Sequence, residues 1–180
     1  MEIKFRKDLG QLLDHFKLPR IVAELGNAEG LFSKQILEWG IDQFYMVDTW
    51  ESIKGQAGDG GFANSWHHNN FNEAMERVSP WKEKVVVLRG LTKDMIPQIP
   101  YNHLGMVYID AAHDYSSVYT DLTLSYPKVV SGGIISGHDY LNPSYGVNKA
   151  VHDFCGPQHL EIHVVPDEDS SMSSFWFRKP

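Results

Sequence analysis

Leu9, Leu12, Leu13 and Phe16 recur at the spacing of one helix face, so the chain opens on a short amphipathic helix within residues 1–18. Pro19 separates it from an apolar run, Ile21 to Leu25, that reads as a strand. Leu31, Phe32, Ile36 and Trp39 then share one side of a helix that Gly40 closes. A second strand spans Gln43 to Val47. Ser52 to Asn64 is rich in Gly, Asp and Ala and has no periodicity. It is too long for a plain connector, and residues 52–66 are expected to form a lid. Trp66 to Val78 reads as a helix with Phe71, Met75 and Val78 inward.

The pattern repeats in the second half. Val85 to Leu88 and Leu104 to Ile109 are the third and fourth strands. Asp114 is placed to cap a helix whose stripe is Tyr115, Val118, Tyr119, Leu122 and Tyr126. Gly132-Gly133 turns the chain into a fifth strand, Ile134 to Ser136. Val147, Ala150, Val151 and Phe154 mark another amphipathic helix, stopped by Gly156-Pro157. The tail holds two more strands, His159 to Val165 and Ser174 to Arg178, with Asp167 to Ser171 as the turn between them. Alternating strands and helices predict an α/β fold: a doubly wound, Rossmann-like, mainly parallel seven-stranded sheet. Its last two strands have no helix between them and should form a C-terminal antiparallel hairpin at the sheet edge. No repeat or composition shift divides the chain, so 1–180 is expected to be a single domain.

Composition narrows the function more than the fold. Of 180 residues 42% are hydrophobic, enough for a core of one domain, and the formal net charge is -7. That charge argues against binding a phosphate backbone, and the only cationic bias is the short stretch around Lys4, Arg6 and Lys7. Cys155 is the sole cysteine, which rules out an internal disulfide and suits a reducing compartment. Residues Met1 to Gly10 lack an apolar signal core and no stretch is apolar enough for a bilayer, so a cytoplasmic protein with no membrane partner is expected.

The chemistry sits where the apolar runs end. Glu24, Gly26 and Gly30 follow the run Ile21-Val22-Ala23, Asp48 closes the second strand, Asp110 the fourth, and His138-Asp139 follows the fifth. In an open α/β sheet those C-terminal ends form one crevice, where ligands bind. The glycines allow close approach of backbone to a ligand, but the spacing Glu24-x-Gly26-x-x-x-Gly30 lacks the third glycine of a dinucleotide loop. Glu29 would also repel a pyrophosphate in the first helical turn. Asp48, 22 residues after Gly26, stands where a carboxylate accepts hydrogen bonds from a ribose. Ribose without phosphate points to S-adenosylmethionine. The plainer alternative is that the glycines only turn the chain and Asp48 lies on the surface.

A second group collects around Asp110-Ala-Ala-His113 and His138-Asp139. Asp110, His138 and Asp139 could supply part of a coordination shell with open positions. An imidazole is a suitable base near neutral pH, so His113 could take a proton from a substrate hydroxyl. Alternatively Asp114 is a helix cap only, Asp110 binds cofactor or neutral substrate, and His138 is a hydrogen-bonded structural histidine. His15, His103, His159 and His163 are read as structural.

Three segments carry a family resemblance: Val22-Ala-Glu-Leu-Gly-Asn-Ala-Glu-Gly-Leu-Phe-Ser33, Met46-Val-Asp-Thr-Trp50, and Tyr108-Ile-Asp-Ala-Ala-His-Asp-Tyr115 continuing to Gly132-Gly-Ile-Ile-Ser-Gly-His-Asp-Tyr140. Through them the chain resembles the class I S-adenosylmethionine-dependent methyltransferases over nearly its whole length. Within them it is most similar to the small branch related to macrocin-type sugar O-methyltransferases, with catechol-type enzymes more distant. The resemblance implies that Glu24, Gly26, Asn27 and Gly30 meet the methionine part of the cofactor. Asp48, with Thr49 and Trp50, would serve the ribose, and Gly90, Leu91 and Thr92 would flank the adenine. Asp110 and Ala111 complete the cofactor set. Metal-dependent relatives place a divalent ion (Mg²⁺, Mn²⁺ or Zn²⁺) at positions matching Asp110, His138 and Asp139, and their general base matches His113. This chain departs at His138, where those relatives carry an acid, and histidine shifts the preference toward softer ions. Trp50, Trp66, His67 and His68 surround the expected lid. The implied activity is O-methylation of a hydroxyl on a small molecule such as a sugar or sugar-bearing metabolite, with Asp110 and His113 catalytic and a homo-oligomer within the family's range. The alternative from another class is a non-catalytic S-adenosylmethionine-binding domain acting through a partner protein. A nucleic-acid acceptor is not expected, since Asp110-Ala-Ala-His113 stands where an Asn/Asp-Pro-Pro-aromatic motif would be.

Overall fold

In the computed structural model, residues 2–53, 58–167 and 172–180 are described. Strands β1 (Ile21–Leu25), β2 (Gln43–Asp48), β3 (Val85–Arg89), β4 (Leu104–Ile109), β5 (Val129–Gly137), β6 (His163–Pro166) and β7 (Ser173–Arg178) form, among the described residues, a seven-stranded sheet in the order β3-β2-β1-β4-β5-β7-β6. β1 to β5 pair in parallel, while β7 runs antiparallel to both β5 and β6. Helices α1 (Gln11–His15), α2 (Leu31–Glu38), α3 (Asn64–Val78), α4 (Thr92–Met95), α5 (Tyr115–Ser125) and α6 (Val147–Cys155) cover its faces.

Every residue of β4 is buried, as expected of a central parallel strand with helices on both sides. Two apolar clusters form the layers. Val107, Ile109, Ile135, Val118, Leu122, Val151, Phe154, Phe175 and Phe177 fill one face. Leu12, Leu13, Val22, Ile36, Phe44, Met46, Ala74 and Ile134 fill the other.

The expected hairpin is present, and its closing strand is inserted: β7 lies between β5 and β6, so β6 is the edge. The opening helix starts as a 3₁₀ turn, Arg6–Gly10, before α1. β5 begins at Val129, five residues before the predicted Ile134. The ladder to β4 absorbs the excess through a register shift between Leu104 and Met106. The short α4 escapes periodicity because four residues make barely one turn. The predicted stripe of α5 divides, with Val118 and Leu122 buried while Tyr115 and Tyr119 stack on each other at the surface. Asp114 caps that helix by accepting from the backbone N–H groups of Ser116 and Ser117. Residues 54–57 of the expected lid and 168–171 of the expected turn lie outside the described residues. Beside the first, Gly58–Gly61 forms a helical turn, and the Ser52 N–H donates to Asn64 Oδ1 at 2.8 Å. Among the described residues no helix is long and apolar enough to cross a membrane.

Candidate active site

The loop leaving β1 lies on the C-terminal end of β4. The Asp110 N–H donates to Leu25 O at 2.7 Å and the Gly26 N–H to Val47 O at 2.8 Å. Gly26 has φ +84°, and a Cβ there would overlap the Asp110 carbonyl and crowd Cα of Ala111. Glycine is therefore what allows the loops after β1 and β4 to touch.

Asp48, at the end of β2, organises that loop. Its Oδ2 accepts from the backbone N–H of Asn27 at 2.7 Å and of Ala28 at 3.0 Å, and its Oδ1 accepts from the Trp50 N–H at 2.8 Å. One carboxylate oxygen can accept two or more bonds, so Oδ1 retains capacity for another donor. Trp50 lies beneath the loop: its side chain is buried, its Nε1 donates to Ala28 O at 2.8 Å, and it meets Phe71 edge-on at 5.1 Å. Thr49 is tied by the Arg89 side chain, which donates to the carbonyl oxygens of Thr49 and Trp50.

Glu24 is buried below the loop. It accepts from Asn27 Nδ2 at 2.6 Å and from the Ser33 hydroxyl. Burial raises its carboxyl to about 8, and the Ser33 bond offsets only part of that. Gly30, also at positive φ, lets the start of α2 pack on Ala74 of α3.

Across the crevice, the Gly90 N–H donates to Asp48 O at 2.9 Å, which fixes the turn carrying Leu91 and Thr92 beside β2. Thr92 Oγ1 donates to Asp121 Oδ1 at 2.6 Å. Asp121 is 1% exposed, its Oδ2 has no partner among the described residues, and burial raises its carboxyl to about 7. Nothing in the sequence flags Asp121, a single acid within an ordinary helical stretch.

Asp110, His113 and Asp139 each bring a donor atom within 4.8 Å of the others. His113 Nδ1 is 3.3 Å from Asp139 Oδ2. Asp139 is buried, has φ +57°, and its Oδ1 has no hydrogen-bond partner among the described residues. Burial opposes its ionisation, but the adjacent imidazoles of His138 and His113 hold its carboxyl below the usual range.

His138 stands apart from that trio. Its Nε2 is hydrogen-bonded with Asp167 Oδ2 at 2.7 Å, and its Nδ1 lies 3.6 Å from Asp110 Oδ1 and 3.5 Å from Asp139 Oδ2. Burial disfavours its charge, yet the nearby carboxylates of Asp110 and Asp139, with Asp167 bonded on the other side, raise its pKa to about 10. Asp167 directly follows β6, in a stretch whose sequence pattern shows only a turn. Arg6 lies on the face of Phe32 at 4.5 Å, with Nε 3.7 Å from Asp167 Oδ1, so the start of the chain reaches this cluster too. Neither residue carries a local signal, because each arrives from a distant part of the chain.

A family model described as a methyltransferase domain matches residues 23–140. No curated protein sequence matches the chain. Among solved structures, the O-methyltransferase NovP is 22% identical with a TM-score of 0.68, over 96% of this chain and 77% of NovP. TomG from Streptomyces achromogenes, an O-methyltransferase involved in tomaymycin synthesis and solved in complex with SAM, is 13% identical with a TM-score of 0.69, over 97% of this chain and 80% of its own. The calicheamicin methyltransferase CalS11 is 15% identical with a TM-score of 0.67, over 96% and 80%. At these identities the three share the fold with this chain.

Proposed function

The chain belongs to the methyltransferase-domain family, and from that premise we propose that it moves the methyl group of S-adenosylmethionine to a hydroxyl oxygen of a small molecule, a sugar or sugar-bearing metabolite, with His113 as general base. The observation that carries the reading is the contact between two loops. The backbone at Gly26, on the cofactor side, touches Asp110 and Ala111, three and two residues before His113. The descriptions of NovP, TomG and CalS11 as methyltransferases support it.

The cofactor, when bound, supplies an electrophilic methyl group on sulfur, so the protein's share is alignment and proton removal. Glu24 and the loop from Gly26 to Gly30 would hold its methionine end. Asp48 Oδ1 would accept from the ribose, and Gly90 to Thr92 would flank the adenine. Asp110 and Ala111, where the two loops touch, would face the sulfonium. His113, with Nδ1 against Asp139, would keep Nε2 to receive the proton of the attacking hydroxyl.

A specific observation favours a second reading of the same site. The convergent donors of Asp110, His113 and Asp139, with the unpartnered Asp139 Oδ1, fit a divalent cation. Mg²⁺, Mn²⁺ or Zn²⁺ held there would lower the pKa of an acceptor hydroxyl. His113 would then be a ligand and its lone pair would not be free for the proton. His138, held by Asp167 and charged at neutral pH, competes with such an ion for the two carboxylates.

The test is cofactor turnover to S-adenosylhomocysteine with a panel of sugars, glycosides and phenols, and an RNA as control. Wild type would be compared with His113→Gln, before and after chelation. Turnover lost in His113→Gln and retained after chelation is expected. Loss on chelation with recovery on metal addition selects the second reading. Cofactor binding with no turnover on any acceptor overturns both in favour of a binding domain, and methylation of the RNA alone overturns the small-molecule acceptor.

A further inference from the structure

The segment that leaves β5 returns over the start of α5. Asp139 takes a left-handed conformation, the Asn142 N–H donates to Asp139 O at 3.1 Å, and the Tyr145 N–H to Asn142 O at 3.2 Å. The Gly146 N–H then donates to His113 O at 2.8 Å. A Cβ at Gly146 would overlap the Tyr115 backbone, so this closeness requires glycine. The result is a parallel stack of the Tyr145 and His113 rings, with centroids 4.5 Å apart and planes 13° from parallel. Tyr145 remains 41% exposed. Tyr145 belongs to neither apolar cluster, yet its ring face is spent on one imidazole.

We propose that Tyr145 is a positioning residue for the base: it clamps the His113 ring in the plane that keeps Nδ1 toward Asp139 and Nε2 free. The inference rests on the reading of His113 as the base. An imidazole turns about two side-chain bonds. The stack fixes the plane of the ring, and Asp139 Oδ2 at 3.3 Å selects which nitrogen faces inward. Neither constraint alone sets both. The contact is made by the ring face, so phenylalanine preserves it and alanine removes it.

Long-range ¹H–¹⁵N spectra of histidine-labelled full chain, recorded where the imidazole is neutral and assigned by His113→Gln, read the tautomer without any acceptor. Wild type and Tyr145→Phe should show His113 protonated at Nδ1 in one form, while Tyr145→Ala should show averaged nitrogen shifts with thermal stability retained. His113 shifts that are the same in Tyr145→Ala as in wild type overturn the clamp, and so does averaging in Tyr145→Phe. Turnover on an acceptor identified as above supplies the second readout. It should fall by about 10- to 100-fold in Tyr145→Ala, with KM for cofactor unchanged and recovery in Tyr145→Phe. A clamp seen in the spectra with full turnover in His113→Gln would remove the base reading and leave the positioning intact.

Discussion

Glu24 carries a proton at neutral pH because burial raises it to about 8. If the ammonium group of the cofactor's methionine end settles beside it, the carboxylate becomes the favoured form and the proton leaves. Calorimetry of S-adenosylmethionine binding near neutral pH, in two buffers of different ionisation enthalpy, should therefore show proton release in wild type and none in Glu24→Gln. Equal heats in both buffers would contradict the assignment. Asp121 makes a related point about stability. Its folded pKa of about 7 lies above the ordinary 3.8, so its contribution is complete below the ordinary value and is lost as pH rises through the folded one. Asp121→Asn removes the buried charge. The variant should gain thermal stability over wild type above about pH 8 and gain less, or lose, near pH 6. A difference that does not vary with pH would show that Asp121 does not ionise in this range.

Among the elements, α5 depends on the residue that caps it. Asp114 accepts from two N–H groups that the helix leaves unpaired, which also holds its carboxyl below the usual range. Asp114→Ala should cost about 1 kcal/mol in urea unfolding. Because α5 begins two residues after His113, the same change should loosen the loop that presents this proposed base. β7 is the element whose place no local pattern announces. It pairs with β5 through Ile134 to Gly137 and with β6 through His163 to Pro166, and it turns Phe175 and Phe177 into the core. Phe175→Ala should cost roughly 3–5 kcal/mol, because the buried ring leaves a cavity between strands drawn from both directions. A loss under about 1 kcal/mol would mean that the hairpin can repack.

For the molecule as a whole, net charge and shape set what approaches the crevice. With a formal charge of -7 and Asp48, Asp110 and Asp139 at strand ends, the surface repels polyanions at long range. Fluorescence anisotropy with a labelled RNA at physiological salt should show no binding, and tight, salt-sensitive binding would refute this. The family and the α/β plan were legible in the chain because both are written locally. Runs of four to six apolar residues alternate with helical stripes, helices between strands force parallel crossovers, and the missing final helix forces the antiparallel hairpin. The positions of Glu24, Asp48, Asp110 and Asp139 at strand ends follow from the same pattern. Which groups meet one another is a different matter. The insertion of β7 inside β6, the five extra residues of β5, the approach of Arg6 and Asp167 to His138, the pairing of Thr92 with Asp121 and the stack of Tyr145 on His113 all join positions far apart in the chain. Periodicity encodes which face of an element is apolar, and so it determines the layers. Contacts between polar side chains depend on how those layers seat and twist against each other, and only the folded structure decides that.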